Sequence, residues 1–169
     1  DRYELILPDQ PKTVLVLFPG YFETRDNIKV EAKKIVDDAL GAHVAVLLMS
    51  FNQHLYLTHT EKQDLNDAIN EVLGGIENVP FYLGGFSSGG NVALLLSNHM
   101  ASTKADKQPS GVFVVDSPVD IERLYLAAQN DIKRNVNGGA VSEGRMIIST
   151  MNNALGTPAD SLQNYDAVS

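Results

Sequence analysis

The stretch Val79-Pro80-Phe81-Tyr82-Leu83-Gly84-Gly85-Phe86-Ser87-Ser88-Gly89-Gly90-Asn91-Val92-Ala93-Leu94-Leu95-Leu96 sets a hydroxyl where it can act as a nucleophile. Phe81 to Leu83 reads as a short buried strand and Val92 to Leu96 as an apolar run in a helix, with the glycine-flanked Ser87 at the turn between them. A serine that attacks a carbonyl must stand clear at such a turn, and neighbours without bulky side chains let strand and helix approach each other. The next backbone N–H, that of Ser88, is then aimed at a developing oxyanion and helped by the helix N-terminus. Glycine and serine are common, so the bare pattern G-x-S-x-G in residues 85–89 gains its weight from the strand–turn–helix setting. A phosphate-cradling loop is the rival use of these residue types. Neither G-x-x-x-x-G-K-[ST] nor G-x-G-x-x-G is present to support it.

Composition removes several other chemistries. The chain has 169 residues, 44% of them hydrophobic, which suits one domain with a real core. Its net charge of −8, unrelieved by any basic cluster, argues against nucleic acid as a partner. The absence of cysteine excludes disulfides, thiolate metal sites and a cysteine nucleophile. No metal or organic cofactor is expected. No run approaches 18 apolar residues, so no membrane-spanning helix is expected, and the compartment stays open.

Elements that could position Ser87 alternate along the chain. An edge strand is expected at residues 2–7, stopped by Pro8, and buried strands at 14–18, 44–49, 81–85 and 111–115. A helix capped by Thr24 or Asp26 carries the stripe Ile28, Ala32, Ile35, Val36 and Ala39 up to Gly41. The next helix is expected to start on a capping box at Thr60–Gln63 and to carry Leu65, Ile69, Val72 and Leu73. From Val119 the pattern is helical: one helix through Ile121, Leu124, Tyr125, Ala128 and Ile132, another through Val141, Met146, Ile147, Met151 and Leu155. The expected fold class is therefore α/β: a doubly wound, mostly parallel sheet in residues 1–118, with a helical, cap-like segment of the same domain in 119–169. A peripheral helical tail is the plainer reading of that last segment. The nucleophile strand is expected to lie centrally in the sheet.

The turn Phe18-Pro19-Gly20-Tyr21 after a buried strand, the Gly85–Gly89 elbow and the later strand ending in Asp116 together resemble an α/β-hydrolase over roughly residues 10–120. The resemblance implies a serine hydrolase that cleaves an ester, thioester or amide through an acyl-enzyme on Ser87. It implies an oxyanion hole formed by Ser88 and, because Pro19 stands where the family often has histidine, by Tyr21, with Phe22 as the alternative to Tyr21. It also makes Asp116 a candidate triad acid, one strand earlier than the usual position. The plain role of Asp116 is to cap its turn with Ser117 and Pro118. Phe22, Phe51 and Tyr56 are candidates for an acyl pocket, and His54 sits on a loop at the active-site end.

The family's chain order of serine, acid and histidine is where the sequence departs. Only His99 follows Ser87, about three helical turns on, and His43 and His59 read as surface or strand-end residues. His54 precedes the serine and has no obvious acid to orient it, although other chain orders also build triads. The expectation is a chain nearly inactive by itself, lacking the last strands of a hydrolase sheet and exposing an apolar strand edge that a second chain or the rest of the protein covers. The other reading is a noncatalytic binding or assembly module that keeps the elbow without a working base.

Overall fold

A computed structural model describes residues 2–51, 55–76 and 78–169. It divides into two compact units, residues 1–117 and 118–169.

The first unit is built on a five-stranded sheet: β1 (Tyr3–Ile6), β2 (Thr13–Phe18), β3 (Val44–Met49), β4 (Phe81–Phe86) and β5 (Gly111–Val115). The strand order is β1-β3-β2-β4-β5. β2, β3, β4 and β5 run parallel, and β1 joins the β3 edge antiparallel. Continuous apolar runs identify the parallel strands, since strands covered on both faces need no polar alternation. β3 is buried from Ala45 to Met49. β4, the strand that leads to Ser87, is interior but not in the middle. β2 holds that place, and β4 lies one position from the β5 edge. Val114 and Val115 on that edge strand remain 41% and 44% exposed.

Helices cover both faces. On one, α1 (Arg25–Glu31) and α2 (Lys33–Gly41) bury Ile28, Ala32 and Val36 against Leu17, Val46 and Leu48. The single helix expected here is interrupted at Ala32, whose φ of −103° and ψ of 21° leave the helical region. Ala32 N–H still donates to Ile28 O, and Val36 N–H to Ala32 O, so the apolar stripe continues across the break. Thr24 and Asn27 form the capping box that starts α1. The opposite face carries α3 (His59–Gly74) and α4 (Ser88–Ser102), with Ile69, Val92 and Leu96 buried. α3 starts earlier than its sequence suggests. Thr58, not Thr60, is the cap, exchanging hydrogen bonds with Glu61. Both threonines precede a carboxylate or amide by three residues, so local pattern alone could not choose between them.

The second unit holds α5 (Ile121–Arg134), α6 (Gly138–Leu155) and α7 (Pro158–Asp166). Asp120 caps α5, and Asn137 caps α6 by accepting from Gly139 and Ala140 N–H. The third helix was not expected: Gly156 closes α6, and Pro158 then opens α7 at a position where its missing N–H costs nothing. Tyr165, fully buried, ties α7 back by donating to Gly156 O at 2.7 Å. No described helix is long and apolar enough to cross a membrane.

Candidate active site

Ser87 lies between β4 and α4 with φ 50° and ψ −130°. For a non-glycine residue this backbone is strained by on the order of 1–3 kcal/mol, so its surroundings must hold it. They do so by backbone contacts. Ser87 N–H donates to Val115 O at 2.9 Å, which fastens the turn to the end of β5, and Gly90 N–H donates to Ser87 O at 3.0 Å. A methyl group on Gly85 would overlap the Gly89 carbonyl, and one on Gly89 would meet the carbonyls of Phe18 and Pro19. The glycines are therefore required by the close crossing of β4, α4 and the end of β2. Ser87 itself is exposed. Its side chain makes no capping bond to the helix it precedes.

Ser88 is the first residue of α4 and is fully buried. First-turn N–H groups lack intrahelical acceptors, so its N–H is available at the positive end of the helix. Its hydroxyl is buried with no hydrogen-bond partner among the described residues.

The turn after β2 meets the elbow at Gly20. A methyl group built on Gly20 would lie 3.2 Å from Ser87 Cβ and 2.8 Å from Glu23 Oε2. Gly20 N–H donates to Glu23 Oε2 at 2.7 Å while Glu23 N–H donates to Gly20 O at 3.1 Å, a reciprocal clamp of the capping-box kind. Gly20 N–H is thereby occupied, and Tyr21 and Phe22 are the loop's remaining candidates for a second oxyanion donor. Phe22 has φ 61° and is 61% exposed, and its ring lies 4.1 Å from that of Tyr21. Glu23 was not singled out from the sequence. The spacing Gly20-x-x-Glu23 was its only signal, and it resembles an ordinary helix start.

Asp116 follows the residue whose carbonyl holds Ser87, and it is exposed with φ 49°. The structure thus brings Asp116 to the elbow's side of the sheet. The adjacent Ser117 hydroxyl donates to Val115 O at 3.2 Å, so a turn-forming role is also present here. Phe51 packs edge-on against Phe18 with centroids 6.2 Å apart. It lines a cavity of about 160 Å³ together with Met49, Glu61 and Leu65. Tyr56 is nearly buried, and that burial, with Glu61 and Tyr21 nearby, raises its hydroxyl pKa. His54 lies outside the described residues.

The three described imidazoles are elsewhere. His43 precedes β3, at the opposite end of the parallel strands from Ser87, with Nδ1 2.9 Å from Asp9 O. His59 opens α3 rather than ending a strand, and its ring stands edge-on to His99 at 5.9 Å. His99, twelve residues along α4, is carried about 18 Å from the elbow by the helical rise. Burial first, then His59, lowers its pKa. Among the described residues no group of acids and histidines could hold a metal ion.

This topology, with its sharp turn from β4 into α4, is the α/β-hydrolase-like fold that the sequence resemblance implies, and solved structures share it. An esterase of the bacterial hormone-sensitive lipase family shares the fold at a TM-score of 0.66, with 16% identity over 95% of this chain and 55% of its own. FphF, a fluorophosphonate-binding serine hydrolase of Staphylococcus aureus, aligns at a TM-score of 0.57, with 16% identity over 73% of this chain and 53% of its own. An α/β hydrolase superfamily protein from Enterococcus faecalis aligns at 0.57, with 18% identity over 72% and 45%. The chain spans about half the length of these solved structures. No sequence-family model and no curated protein matches it.

Proposed function

We propose that this chain carries the nucleophile half of a serine hydrolase that cleaves an ester, thioester or amide through an acyl-enzyme on Ser87. The observation that carries the reading is an exposed serine held at φ 50° and ψ −130° on a strand-to-helix turn, with the helix's first N–H beside it. In this scheme Ser87 Oγ attacks the carbonyl carbon as its proton passes to a base, and the carbonyl oxygen becomes an oxyanion held by the N–H groups of Ser88 and Tyr21. Collapse of that intermediate expels the protonated leaving group, and water repeats the sequence to free Ser87. Asp116 orients the base in the reading that gives it a catalytic role. The base comes from outside the described residues: His54, a further segment of the protein or a second chain. The solved structures that share the fold include esterases and a serine hydrolase, which supports the reaction class.

A noncatalytic module is the second reading, favoured by the distance of His43, His59 and His99 from the elbow. A fluorophosphonate probe separates the two. Labelling located on Ser87 by mass spectrometry and lost in Ser87→Ala supports the hydrolase. A folded chain that resists labelling supports the module.

A further inference from the structure

Ser87 is fastened to the last rung of the β4–β5 ladder. Phe86 pairs with Val115, Ser87 N–H donates to Val115 O at 2.9 Å, and beyond that bond both chains turn sharply. Ser87 enters α4 at φ 50° and Asp116 leaves β5 at φ 49°, two non-glycine residues in the left-handed region with one carbonyl between them. The rung is poorly protected by its own strand. β5 is the edge of the sheet and Val115 is exposed, so strand pairing alone would let this end fray.

Ser117 supplies a further hold. Its hydroxyl donates to the same Val115 O at 3.2 Å, so that carbonyl accepts from Ser87 and Ser117 together. The side chain is also wedged against α4, because a methyl group on Gly90 would overlap the Ser117 hydroxyl and lie 2.7 Å from Ser117 Cβ. Gly90 in turn donates its N–H to Ser87 O at 3.0 Å, which closes a ring of contacts around the elbow. Pro118 biases Ser117 towards an extended backbone and so restricts where that hydroxyl can point. Closing the Val115–Ser117 turn accounts for the hydroxyl's bond, but not for the glycine that makes room for it on α4. We propose that Ser117 is the positioning residue of the elbow: acting through the Val115 carbonyl and Gly90, it fixes the backbone of Ser87 and, from the other side, that of Asp116. Its effect on reactivity rests on the serine-hydrolase reading; its hold on the Ser87 backbone does not.

The test compares the chain with Ser117→Ala and with Ser102→Ala, which removes a bond of the same kind, Ser102 Oγ to His99 O at 2.9 Å, at the far end of α4. Amide hydrogen exchange is followed residue by residue by nuclear magnetic resonance. In Ser117→Ala the Ser87 amide exchanges about tenfold faster and the Ser87 and Asp116 amide resonances move, while the amides of β2 and β3 keep their protection. Ser102→Ala leaves the Ser87 and Asp116 amides as they were. Exchange at Ser87 that is unchanged in Ser117→Ala, or accelerated equally across the whole sheet, overturns the proposal. Fluorophosphonate labelling then reads the chemistry. Ser117→Ala lowers the saturating rate of Ser87 labelling by roughly fivefold to tenfold and leaves the half-saturating probe concentration unchanged, because the nucleophile is misplaced and the surface that binds the probe is not. A change confined to half-saturation, or no change, overturns the positioning role. A chain that shows the exchange pattern but never labels removes the serine-hydrolase reading and leaves the hold of Ser117 on the elbow.

Discussion

The elbow between β4 and α4 and the helical unit of α5 to α7 solve opposite problems. The unit ends its helices by familiar means: Asp120 and Asn137 as N-caps, Asn135 in the left-handed region at the close of α5, and Pro158 in the first turn of α7. The acceptors and donors at these caps lie close in sequence: Asp120 accepts from Arg123 N–H, Asn137 from Gly139 and Ala140 N–H, and Asn135 N–H donates to Asp131 O. At the elbow the cap position is occupied by Ser87, whose side chain caps nothing and whose backbone is strained. What holds it comes from far along the chain: Val115 O from β5, and the carbonyls of Phe18 and Pro19 packed against Gly89. Local rules are obeyed where a helix only has to end. They are broken where a side chain is to be presented, and tertiary contacts carry the strain.

The sharpest way to break this contrast is to add one methyl group in each region. Gly89→Ala drives a side chain into two backbone carbonyls that cannot rotate away, and it should destabilise the chain by about 4 kcal/mol or more in urea denaturation. Gly138→Ala has nothing within reach and should change stability by no more than about 0.5 kcal/mol. Comparable losses at the two sites would mean that the crossing at the elbow is not tightly packed.

Relief of the strain gives the next largest effect. Ser87→Gly should stabilise the chain by about 1–2 kcal/mol, because glycine adopts positive φ freely, while Ser87→Ala leaves the melting temperature nearly unchanged. Both should abolish fluorophosphonate labelling. On the helical side, Asn137→Ala removes the acceptor of two N–H groups and should cost about 1 kcal/mol, read from the same denaturation curves.

The smallest effect concerns pH. Burial lowers the pKa of His99, so the unfolded chain binds its proton more readily than the folded one. Stability is then unaffected by this group above the unfolded value near 6.5 and falls as the pH drops below it, until the folded value is reached. Melting temperatures measured from pH 7 to pH 5 should decline, and more shallowly in His99→Gln. An identical decline in that variant would assign the acid sensitivity to other groups.

The four parallel strands are legible in the amino-acid pattern, because a strand buried on both faces must be apolar throughout, and Val14–Phe18, Val44–Met49, Phe81–Leu83 and Gly111–Val115 are nearly so. It also marked the Gly85–Gly89 turn, since glycines on both sides of a serine at a strand–helix junction have few other uses. Local periodicity did not reveal that the helix through Ala32 is interrupted, that Thr58 rather than Thr60 caps α3, or that a third helix follows Gly156. The rest follows from contacts between distant segments. Strand order depends on which apolar runs pair across the sheet, and it set β2, not β4, in the middle. The carboxylate of Glu23 came to lie beside Ser87, sixty-four residues away, because Gly20 lets two backbone segments touch where any side chain would part them. His59 and His99 were brought together for the same kind of reason: α3 packs on α4, a contact between distant segments that no local spacing encodes.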